Sequence, residues 1–345
     1  MRLFASLIVI AAFAGCGTQS HMNAIDSIFR DYAGNVPGAS VIVVRENRVV
    51  FRKSYGLANL EERTAAAPDT HYRLASVTKQ FTAAAILTLA EQGKLSLDDP
   101  IRRWLPSLPA YADPITIRHL LTHSSGLIDY EDVMPSTTTI QLKDADVLRL
   151  LETQSATYFR PGSSYRYSNS GYSLLALIVE KASGKRFADF LREQLFTPLG
   201  MTTTVAHEEG ISTVVNRAFG YSRDGSAWHR TDQSMTSAVL GDGGIYTSAD
   251  QLVHWLDVLD QGRFAEASLP RVETDKKGVK YGFGWRISER DGRRVVSHTG
   301  ESIGFRNAVV RFPDEKLSVV VLTNRNEGEP YDLAIRVADS FHRSR

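Results

Sequence analysis

Strand-like segments stand at both ends of this 345-residue chain, and helix-like segments fill the middle. Near the start, residues 39–44 are apolar and β-branched, Glu46 and Asn47 offer a turn, and residues 49–51 resume the pattern, which predicts a hairpin. Three more strands are predicted at residues 294–297, 307–312 and 317–323. The pattern favours a mixed or antiparallel sheet built from both chain ends.

Apolar residues with helical spacing recur between those ends, at residues 81–92, 117–122, 145–152, 172–182 and 187–195. Two terminal helices are predicted at residues 25–32 and 331–341. The expected fold is therefore α+β: an antiparallel sheet flanked by terminal helices, with a largely helical inserted lobe. We expect one domain over residues 17–345, with a sheet lobe at about 22–75 and 240–345 and a helical lobe at about 76–239. A site is expected in the cleft between the lobes.

The first sixteen residues differ from the rest. Arg2 precedes the apolar run of residues 3–14, which is short for a membrane span, and small residues stand before Cys16, the only cysteine. This layout predicts an export signal. It resembles a bacterial lipoprotein signal in which Cys16 would carry the lipid, although Phe13 stands where leucine is usual. The alternatives are an ordinary signal peptide or an uncleaved anchor. We expect an exported protein, either periplasmic or anchored as a lipoprotein.

The charge balance narrows the possible partners. Lys and Arg number 40 against 39 Asp and Glu, with no long run of one sign, which argues against nucleic acid as a partner. We expect a small-molecule or peptide substrate, and membrane contact only through a lipid at Cys16. The sequence has no nucleotide-binding glycine loop, and no cofactor is expected.

Ser76 and Lys79 are the first candidate catalytic residues. They are separated by one helical turn at the start of an apolar helical stretch, so the amine can reach the hydroxyl. A serine at a helix start also has a free backbone N–H and a favourable helix dipole for negative charge.

Two further motifs complete a dispersed site. Tyr167, Ser168 and Asn169 follow a loop, where a phenol can pass a proton and an amide can orient a lysine or a substrate. The alternative is a packed tyrosine followed by a helix cap. His298, Thr299 and Gly300 end a predicted strand, where Gly300 admits a ligand and the Glu301 N–H could join that of Ser76 in an oxyanion hole. His298 could hold Tyr167 or a substrate carboxylate, or be a surface histidine before a turn.

In this order and spacing, Ser-x-x-Lys, Tyr-Ser-Asn and His-Thr-Gly resemble the penicillin-recognising serine hydrolases. These include class C β-lactamases, serine D,D-peptidases, D-aminopeptidases and β-lactamase-like carboxylesterases. Residues 120–127, 243–248 and 281–285 are similar to further family segments. The resemblance implies a β-lactamase/transpeptidase-like fold and hydrolysis of an amide or ester through an acyl-enzyme.

Carried onto this chain, the resemblance implies Ser76 as nucleophile, Lys79 and Tyr167 as proton handlers, and Asn169 as a positioning residue. His298 stands where class C β-lactamases carry lysine, which favours a D-peptide or a small ester over a β-lactam as substrate. A class C type β-lactamase and a non-catalytic, penicillin-binding type cell-wall protein remain the alternatives.

Two competing interpretations concern other residues. Residues 300–304 match the Gly-x-Ser-x-Gly elbow of α/β-hydrolases, which would make Ser302 a nucleophile with Asp314 or Asp332 and His342. That elbow needs a helix after the serine, whereas residues 305–312 are strand-like. His119 and His123 are spaced for a metal on a helix but lack the flanking glutamate of such motifs, and no metal is expected.

Overall fold

The computed structural model describes residues 15–342, with side chains from residue 22 onward. The apolar run of residues 3–14, the proposed export signal, lies outside the described residues, as does the side chain of Cys16. Among residues 15–342, none of the helices has both the length and the apolar character that crossing a bilayer requires.

Ten helices and fifteen strands make up the described part of the chain. The helices are α1 (Gly15–Ile28), α2 (Lys79–Glu91), α3 (Ile117–Leu121), α4 (Tyr130–Val133), α5 (Asp144–Glu152), α6 (Asn169–Ser183), α7 (Phe187–Leu191), α8 (Leu240–Gly243), α9 (Ala249–Asp260) and α10 (Pro330–His342). The strands are β1 (Ala39–Arg45), β2 (Arg48–Tyr55), β3 (Leu57–Asn59), β4 (Thr64–Ala65), β5 (His71–Arg73), β6 (Val205–Ala206), β7 (Tyr221–Asp224), β8 (Ala227–Arg230), β9 (Ile245–Ser248), β10 (Val272–Glu273), β11 (Lys280–Tyr281), β12 (Arg286–Arg290), β13 (Arg293–Ser302), β14 (Phe305–Phe312) and β15 (Leu317–Thr323).

Eight strands form one antiparallel sheet in the order β10-β11-β12-β13-β14-β15-β1-β2. The two chain ends meet where β1 pairs with β15, with Val41 opposite Val321. The β1–β2 hairpin turns at Glu46 and Asn47, whose φ angles of 50° and 61° suit a tight turn between twisted strands. The α+β fold with an antiparallel sheet, flanked by terminal helices, is confirmed.

Strand β1 is apolar from Val41 to Val44, where both of its faces are buried. Val41 and Val43 pack against the terminal helices α1 and α10, whereas Ile42 and Val44 join the core beneath the helical lobe. Alternate side chains of a strand point to opposite faces, so one strand contributes to both cores. The sheet therefore lies between the two hydrophobic cores.

Several elements differ in detail from the sequence predictions. The predicted helix over 25–32 ends at Ile28 and is followed by a 3₁₀ turn, Arg30–Tyr32, and α7 gives way after Leu191 to a π turn, Arg192–Phe196. Within residues 76–239 the structure also contains β6 and the β7–β8 hairpin. That hairpin turns at Gly225 and Ser226, with Gly225 at φ 57°, a local signal that the helical interpretation of the middle region passed over.

Strand β13 extends to Ser302, five residues beyond the predicted end at residue 297. Pairing with β14 carries it that far, since Ser302 lies opposite Phe305. On its other side, β12 pairs with β13 only up to Ser297, opposite Arg286. The remaining edge of β13 is therefore open toward the Ser76 turn, and it carries His298, Thr299, Gly300 and Glu301.

Candidate active site

Ser76 lies on a 3₁₀ turn, Ala75–Thr78, that runs directly into α2. Ala75 has a φ of 49°, in the left-handed region, which costs a residue with a Cβ atom roughly 1–2 kcal/mol. The Leu74 N–H donates to the Ile245 carbonyl at 2.8 Å and anchors the turn to β9. Backbone strain immediately before a candidate nucleophile is typical of functional sites.

The side chain of Lys79 is fully buried and is held by three oxygen atoms. Its Nζ lies 3.1 Å from Ser76 Oγ, 2.8 Å from Asn169 Oδ1 and 3.0 Å from the Asp242 carbonyl oxygen. These partners are a hydroxyl, an amide and a backbone carbonyl, so dipoles hold this nitrogen in place. The amine is within the reach that a general base for Ser76 requires.

Tyr167 lies beside this lysine, half-buried at the cleft. The centroid of its ring is 4.9 Å from Lys79 Nζ and 5.4 Å from the Arg286 guanidinium carbon. Two cations therefore lie next to one phenol ring. Tyr167 is thus placed among the groups that could exchange a proton with Lys79.

Ser168 and Asn169 fit both interpretations of their motif, the helix cap and the positioning amide. Ser168 caps α6, since its side chain accepts a hydrogen bond from the Gly171 N–H at 3.2 Å. Asn169, the first residue of the helix, directs its carbonyl oxygen to Lys79 and its Nδ2 to Glu131 Oε1 at 3.0 Å. The cap therefore fixes the amide at the point where it orients the lysine.

Gly300 allows β13 to approach the Ser76 turn. A Cβ atom at this position would lie 2.0 Å from the Leu74 carbonyl oxygen and 3.1 Å from the Ser76 nitrogen, so a side chain is sterically excluded. The close approach brings the backbone of residues 300 and 301 beside the Ser76 N–H. This is the arrangement that a two-donor oxyanion hole from Ser76 and Glu301 needs.

His298 is a buried residue of this strand, and both of its ring nitrogens have hydrogen-bond partners. Nε2 lies 2.9 Å from the Tyr281 hydroxyl, and Nδ1 lies 2.6 Å from the Thr299 carbonyl oxygen, so Nδ1 carries the proton. Burial, together with the nearby Arg286 and Lys79 cations, holds the pKa of His298 well below its usual value. In this arrangement the imidazole is neutral, and its nitrogens bind neither Tyr167 nor the cleft.

His123 is a buried residue of the site that sequence reasoning assigned to a possible metal pair. Its Nδ1 accepts the Ser168 N–H at 3.1 Å, and its ring centroid lies 4.3 Å from that of Tyr167. The pKa of His123 is lowered well below the usual value by burial and by Lys79. His119 instead accepts the Thr116 N–H at 3.2 Å as part of a capping box. Helix α3 ends at Leu121, so the two histidines do not share a helix face.

An acidic cluster lies near Asn169 and Lys79, and no spacing in the sequence singled it out. Asp129 Oδ2 accepts the Asn169 N–H at 2.7 Å, and the Tyr130 hydroxyl donates to Asp242 Oδ2 at 3.1 Å. Burial raises the pKa of Glu131, and Asp129 raises it further. Burial also raises the pKa of Asp242 to about 7, although the nearby Lys79 acts to lower it.

The structure does not support Ser302 as an α/β-hydrolase nucleophile. It ends β13 and is followed by β14, so the helix that such an elbow requires is absent after this serine. His342 Nδ1 lies 2.8 Å from Glu315 Oε2, and Asp332 lines a separate cleft with Thr299. Ser302 itself stands on the wall of the cleft that contains Ser76.

That cleft has a volume of about 230 Å³, smaller than the roughly 300–1,000 Å³ of sites for drug-sized ligands. It brings together the proposed nucleophile, the positioning amide and the β13 edge. Its lining residues are Arg73, Ala75, Ser76, Tyr130, Glu131, Asn169, Ser234, Thr236, Ser237, Asp242, Gly243, Glu301, Ser302 and Ile303. Among residues 22–342, no group of three or more His, Cys, Asp or Glu side chains is arranged to hold a metal ion.

Comparison with known proteins agrees with this architecture. The sequence model of the Beta-lactamase family matches residues 25–341. Penicillin-binding protein 4* of Bacillus subtilis (strain 168) is 30% identical over 317 residues, which cover 86% of this chain and 70% of that protein. A D-aminopeptidase of Brucella canis is 30% identical over 338 residues, covering 92% of this chain and 61% of the relative. This chain therefore spans less than two thirds of that D-aminopeptidase.

Among solved structures, a D-amino acid amidase from Ochrobactrum anthropi SV3 superposes with a TM-score of 0.81. It is 25% identical in sequence, and the match covers 94% of this chain and 99% of the amidase. Fold and relatives together define a serine hydrolase with a β-lactamase/transpeptidase-like fold. The chain belongs to the beta-lactamase family, as the three dispersed motifs predicted.

Proposed function

We propose that this protein is an exported serine hydrolase that forms an acyl-enzyme on Ser76 and hydrolyses amides of D-amino acids with a free amino group. The observation that carries the proposal is the Glu131 carboxylate, which lines the cleft beside Ser76 and shares Asn169 with Lys79. The names of two relatives, a D-aminopeptidase and a D-amino acid amidase, support the choice of D-amides.

The chemistry proceeds in two halves. Ser76 Oγ attacks the substrate carbonyl while its proton passes to Lys79, and the Ser76 and Glu301 N–H groups stabilise the oxyanion. Tyr167 delivers a proton to the leaving nitrogen as the C–N bond breaks, which leaves an ester on Ser76. Water then attacks the ester and gives a proton to Tyr167, which replaces the proton lost to the leaving nitrogen. Lys79 returns its proton to Ser76 Oγ as the ester C–O bond breaks, so the amino acid leaves and Ser76, Lys79 and Tyr167 are restored.

Recognition of an ammonium follows from the state of Glu131. Glu131 is an exposed residue of the cleft, but desolvation of its carboxylate by the neighbouring groups and the nearby Asp129 raise the pKa and make the negative charge costly. A cation placed against this carboxylate removes that cost and forms a charge-assisted hydrogen bond. A substrate's free α-amino group is a cation one carbon away from the carbonyl that Ser76 attacks, and Glu131 lines the same cleft as Ser76.

A substrate panel with purified protein tests the proposal. It contains D- and L-alanine amides, N-acetyl-D-alanine amide, a short p-nitrophenyl ester, an N-acylated D-Ala-D-Ala peptide and a chromogenic cephalosporin. We expect the free D-amide to have the highest kcat/KM. Glu131→Gln should lower kcat/KM for the free amide by about 10- to 100-fold and leave the N-acetyl amide and the ester nearly unchanged.

Preference for the ester or the cephalosporin would replace the proposal with an esterase or a β-lactamase of class C type. Stable acylation of Ser76 without turnover of any compound would indicate a non-catalytic, penicillin-binding type protein. An equal effect of Glu131→Gln on free and N-acetylated amides would show that Glu131 does not bind the substrate's ammonium group.

Arg286 favours a second candidate, the release of a C-terminal residue as in D,D-peptidases. Its guanidinium lies by Tyr167 and lines a cleft with Thr299, and among residues 22–342 no carboxylate forms an ion pair with it. A cation on the leaving-group side would suit a substrate carboxylate. If the N-acylated D-Ala-D-Ala peptide is the best substrate and Arg286→Gln abolishes that preference, this second function takes precedence.

We also propose that the protein is anchored by a lipid on Cys16. Several acyl chains anchor a protein firmly, whereas one binds marginally. Full-length protein expressed in a bacterium should sediment with membranes, and a variant starting at residue 17 behind a cleavable signal should be released with the periplasmic fraction. Full-length protein found wholly in the soluble periplasmic fraction would refute the lipid but not export.

A further inference from the structure

The cleft that contains Ser76 and Glu131 also contains a buried cation with no acidic partner. Arg73 lines the cleft and is only 4% exposed. Its Nη1 donates to the Ser237 carbonyl at 2.9 Å, whereas its Nε is buried with no hydrogen-bond partner. Among residues 22–342, no carboxylate forms an ion pair with it. A guanidinium cannot lose its charge, so its surroundings or a ligand must supply the counterion.

A second arginine, Arg217, lies beside Tyr246 as Arg73 does, but it has the acidic partner that Arg73 lacks. Arg73 and Arg217 both lie near the Tyr246 ring, with guanidinium carbons 6.0 and 5.1 Å from its centroid. Arg217 pairs with the Asp232 carboxylate at 2.5 Å and does not line the cleft. Of these two arginines, the one that faces the cleft is the one without an acid.

Hydroxyl groups surround the cleft side of Arg73. Ser234 Oγ lies 3.1 Å from Thr236 Oγ1 and 3.3 Å from Ser237 Oγ, and all three residues line the cleft. Ser302 Oγ, on the facing β13 edge, is buried without a partner. Hydroxyl groups can rotate to donate, so this group of hydroxyls can form hydrogen bonds with the oxygen atoms of an anion or a carboxamide. Glu301, the acid at the rim, is largely exposed and pairs with Arg306 at 3.4 Å.

We propose that Arg73 and the hydroxyls of Ser234, Thr236 and Ser302 form a side-chain pocket that selects D-amino-acid amides with an acidic side chain, such as D-glutamyl amides. The proposal rests on the proposed function, because this pocket, Ser76 and Glu131 line the same cleft. The α-ammonium then meets Glu131, and the side-chain carboxylate meets Arg73.

Two amides of nearly identical shape test the charge alone: D-glutamic acid α-amide and D-glutaminamide. We expect the wild-type protein to prefer the acidic amide by about tenfold or more in kcat/KM. Arg73→Gln should bring the ratio close to one, and Arg73→Lys should retain part of it. Arg217→Gln is the matched control and should keep the wild-type ratio even if the protein is less stable.

Ser234→Ala and Thr236→Val keep the proposal testable if Arg73 variants fail to fold, and each should reduce the ratio several-fold. A structural role for Arg73 would lower kcat/KM for both amides equally and leave their ratio unchanged. A wild-type ratio near one, with D-alanine amide hydrolysed well, would overturn this inference and leave the proposed function intact.

Calorimetric measurement of the binding of the two amides to Ser76→Ala distinguishes failure of the proposed function from failure of the pocket proposal. If no D-amide is hydrolysed, the proposed function falls, and tighter binding of the acidic amide would still support the pocket. Equal binding of both amides would overturn it.

Discussion

On one side of Lys79 the site consists of hydrogen-bonding groups, and on the other side it consists of aromatic rings. The first, called here the polar wall, comprises Ser76, Asn169, Glu131 and Asp242. The second, the aromatic wall, comprises His123, Tyr165, Tyr167, Tyr281 and His298. On the side of the polar wall, Lys79 Nζ meets hydrogen-bond acceptors and acidic residues. On the side of the aromatic wall, it faces an aromatic ring, and the imidazoles of His123 and His298 are neutral.

The difference explains how one buried lysine can be positioned without an ion pair. Hydrogen bonds from three directions fix Nζ against the polar wall, and the Tyr167 and Tyr172 rings close the other side at 4.9 and 5.5 Å. Ring faces attract a cation but accept no proton from it, so proton exchange with the aromatic wall must use the Tyr167 hydroxyl, whereas the Ser76 hydroxyl already lies within hydrogen-bond reach of the amine. The polar wall therefore positions the lysine by hydrogen bonds, and the aromatic rings shield its other side from water.

The largest effect is expected at the polar wall. Ser76→Ala should reduce amide hydrolysis by roughly 10⁴- to 10⁶-fold and abolish labelling by a fluorophosphonate, because the proposed nucleophile is gone. Ser302→Ala, in the same cleft, is the control and should still be labelled. Labelling that persists in Ser76→Ala and disappears in Ser302→Ala would reverse the assignment.

Lys79→Ala and Tyr167→Phe compare the lysine between the two walls with the proton handler of the aromatic wall. General acid–base groups contribute about 10²- to 10⁴-fold, so each change should slow acylation by that order. Pre-steady-state measurement with a p-nitrophenyl ester separates acylation from deacylation. Normal acylation in Tyr167→Phe, with a strong loss in Lys79→Ala, would restrict the aromatic wall to packing.

His298→Lys introduces a charge into the aromatic wall. Because the imidazole is buried between Tyr281 and Thr299, the lysine must carry a poorly compensated charge or displace Tyr281, and we expect a loss of roughly 3–5 kcal/mol in the free energy of unfolding. Urea denaturation measures it, and His298→Gln is the milder control. An unchanged stability with faster cephalosporin hydrolysis would instead place residue 298 in contact with the substrate.

The smallest effects, about 1.4 kcal/mol per pH unit for each group, should have opposite signs in the two walls. His123 and His298 stay neutral in the folded state, but their unfolded forms bind protons below about pH 6.5. Their contribution to stability is therefore lost as the pH falls below that value. Asp242 keeps its proton in the folded state up to a pH of about 7, so its contribution grows as the pH falls from 7 toward 3.8.

Free energies of unfolding at pH 5.5, 6.5 and 7.5 separate these contributions. Relative to the wild type, His298→Gln should lose less stability on acidification, and Asp242→Asn should lose more. Changes of the same sign in both variants would show that the two walls do not differ in how they bind protons.

The sequence by itself determined the local parts of this protein. Strand patterns at both ends predicted the sheet, the three-residue spacing of Ser76 and Lys79 predicted their contact, and Gly300 indicated a close approach to the β13 edge. These signals are readable because helix and strand periods fix which side chains share a face over a few residues. The three motifs also carried the family resemblance that the comparisons confirmed.

Tertiary structure alone decided how charges in the site are paired. Asn169 meets Lys79 across 90 residues, and His123 accepts the N–H of Ser168 across 45, contacts that no local period encodes. The burial of His298, the raised pKa of Asp242 and the unpaired guanidinium of Arg73 have the same origin. A side chain's burial and charge partners depend on which distant elements pack around it, because desolvation and Coulomb energies depend on distances in space and not along the chain.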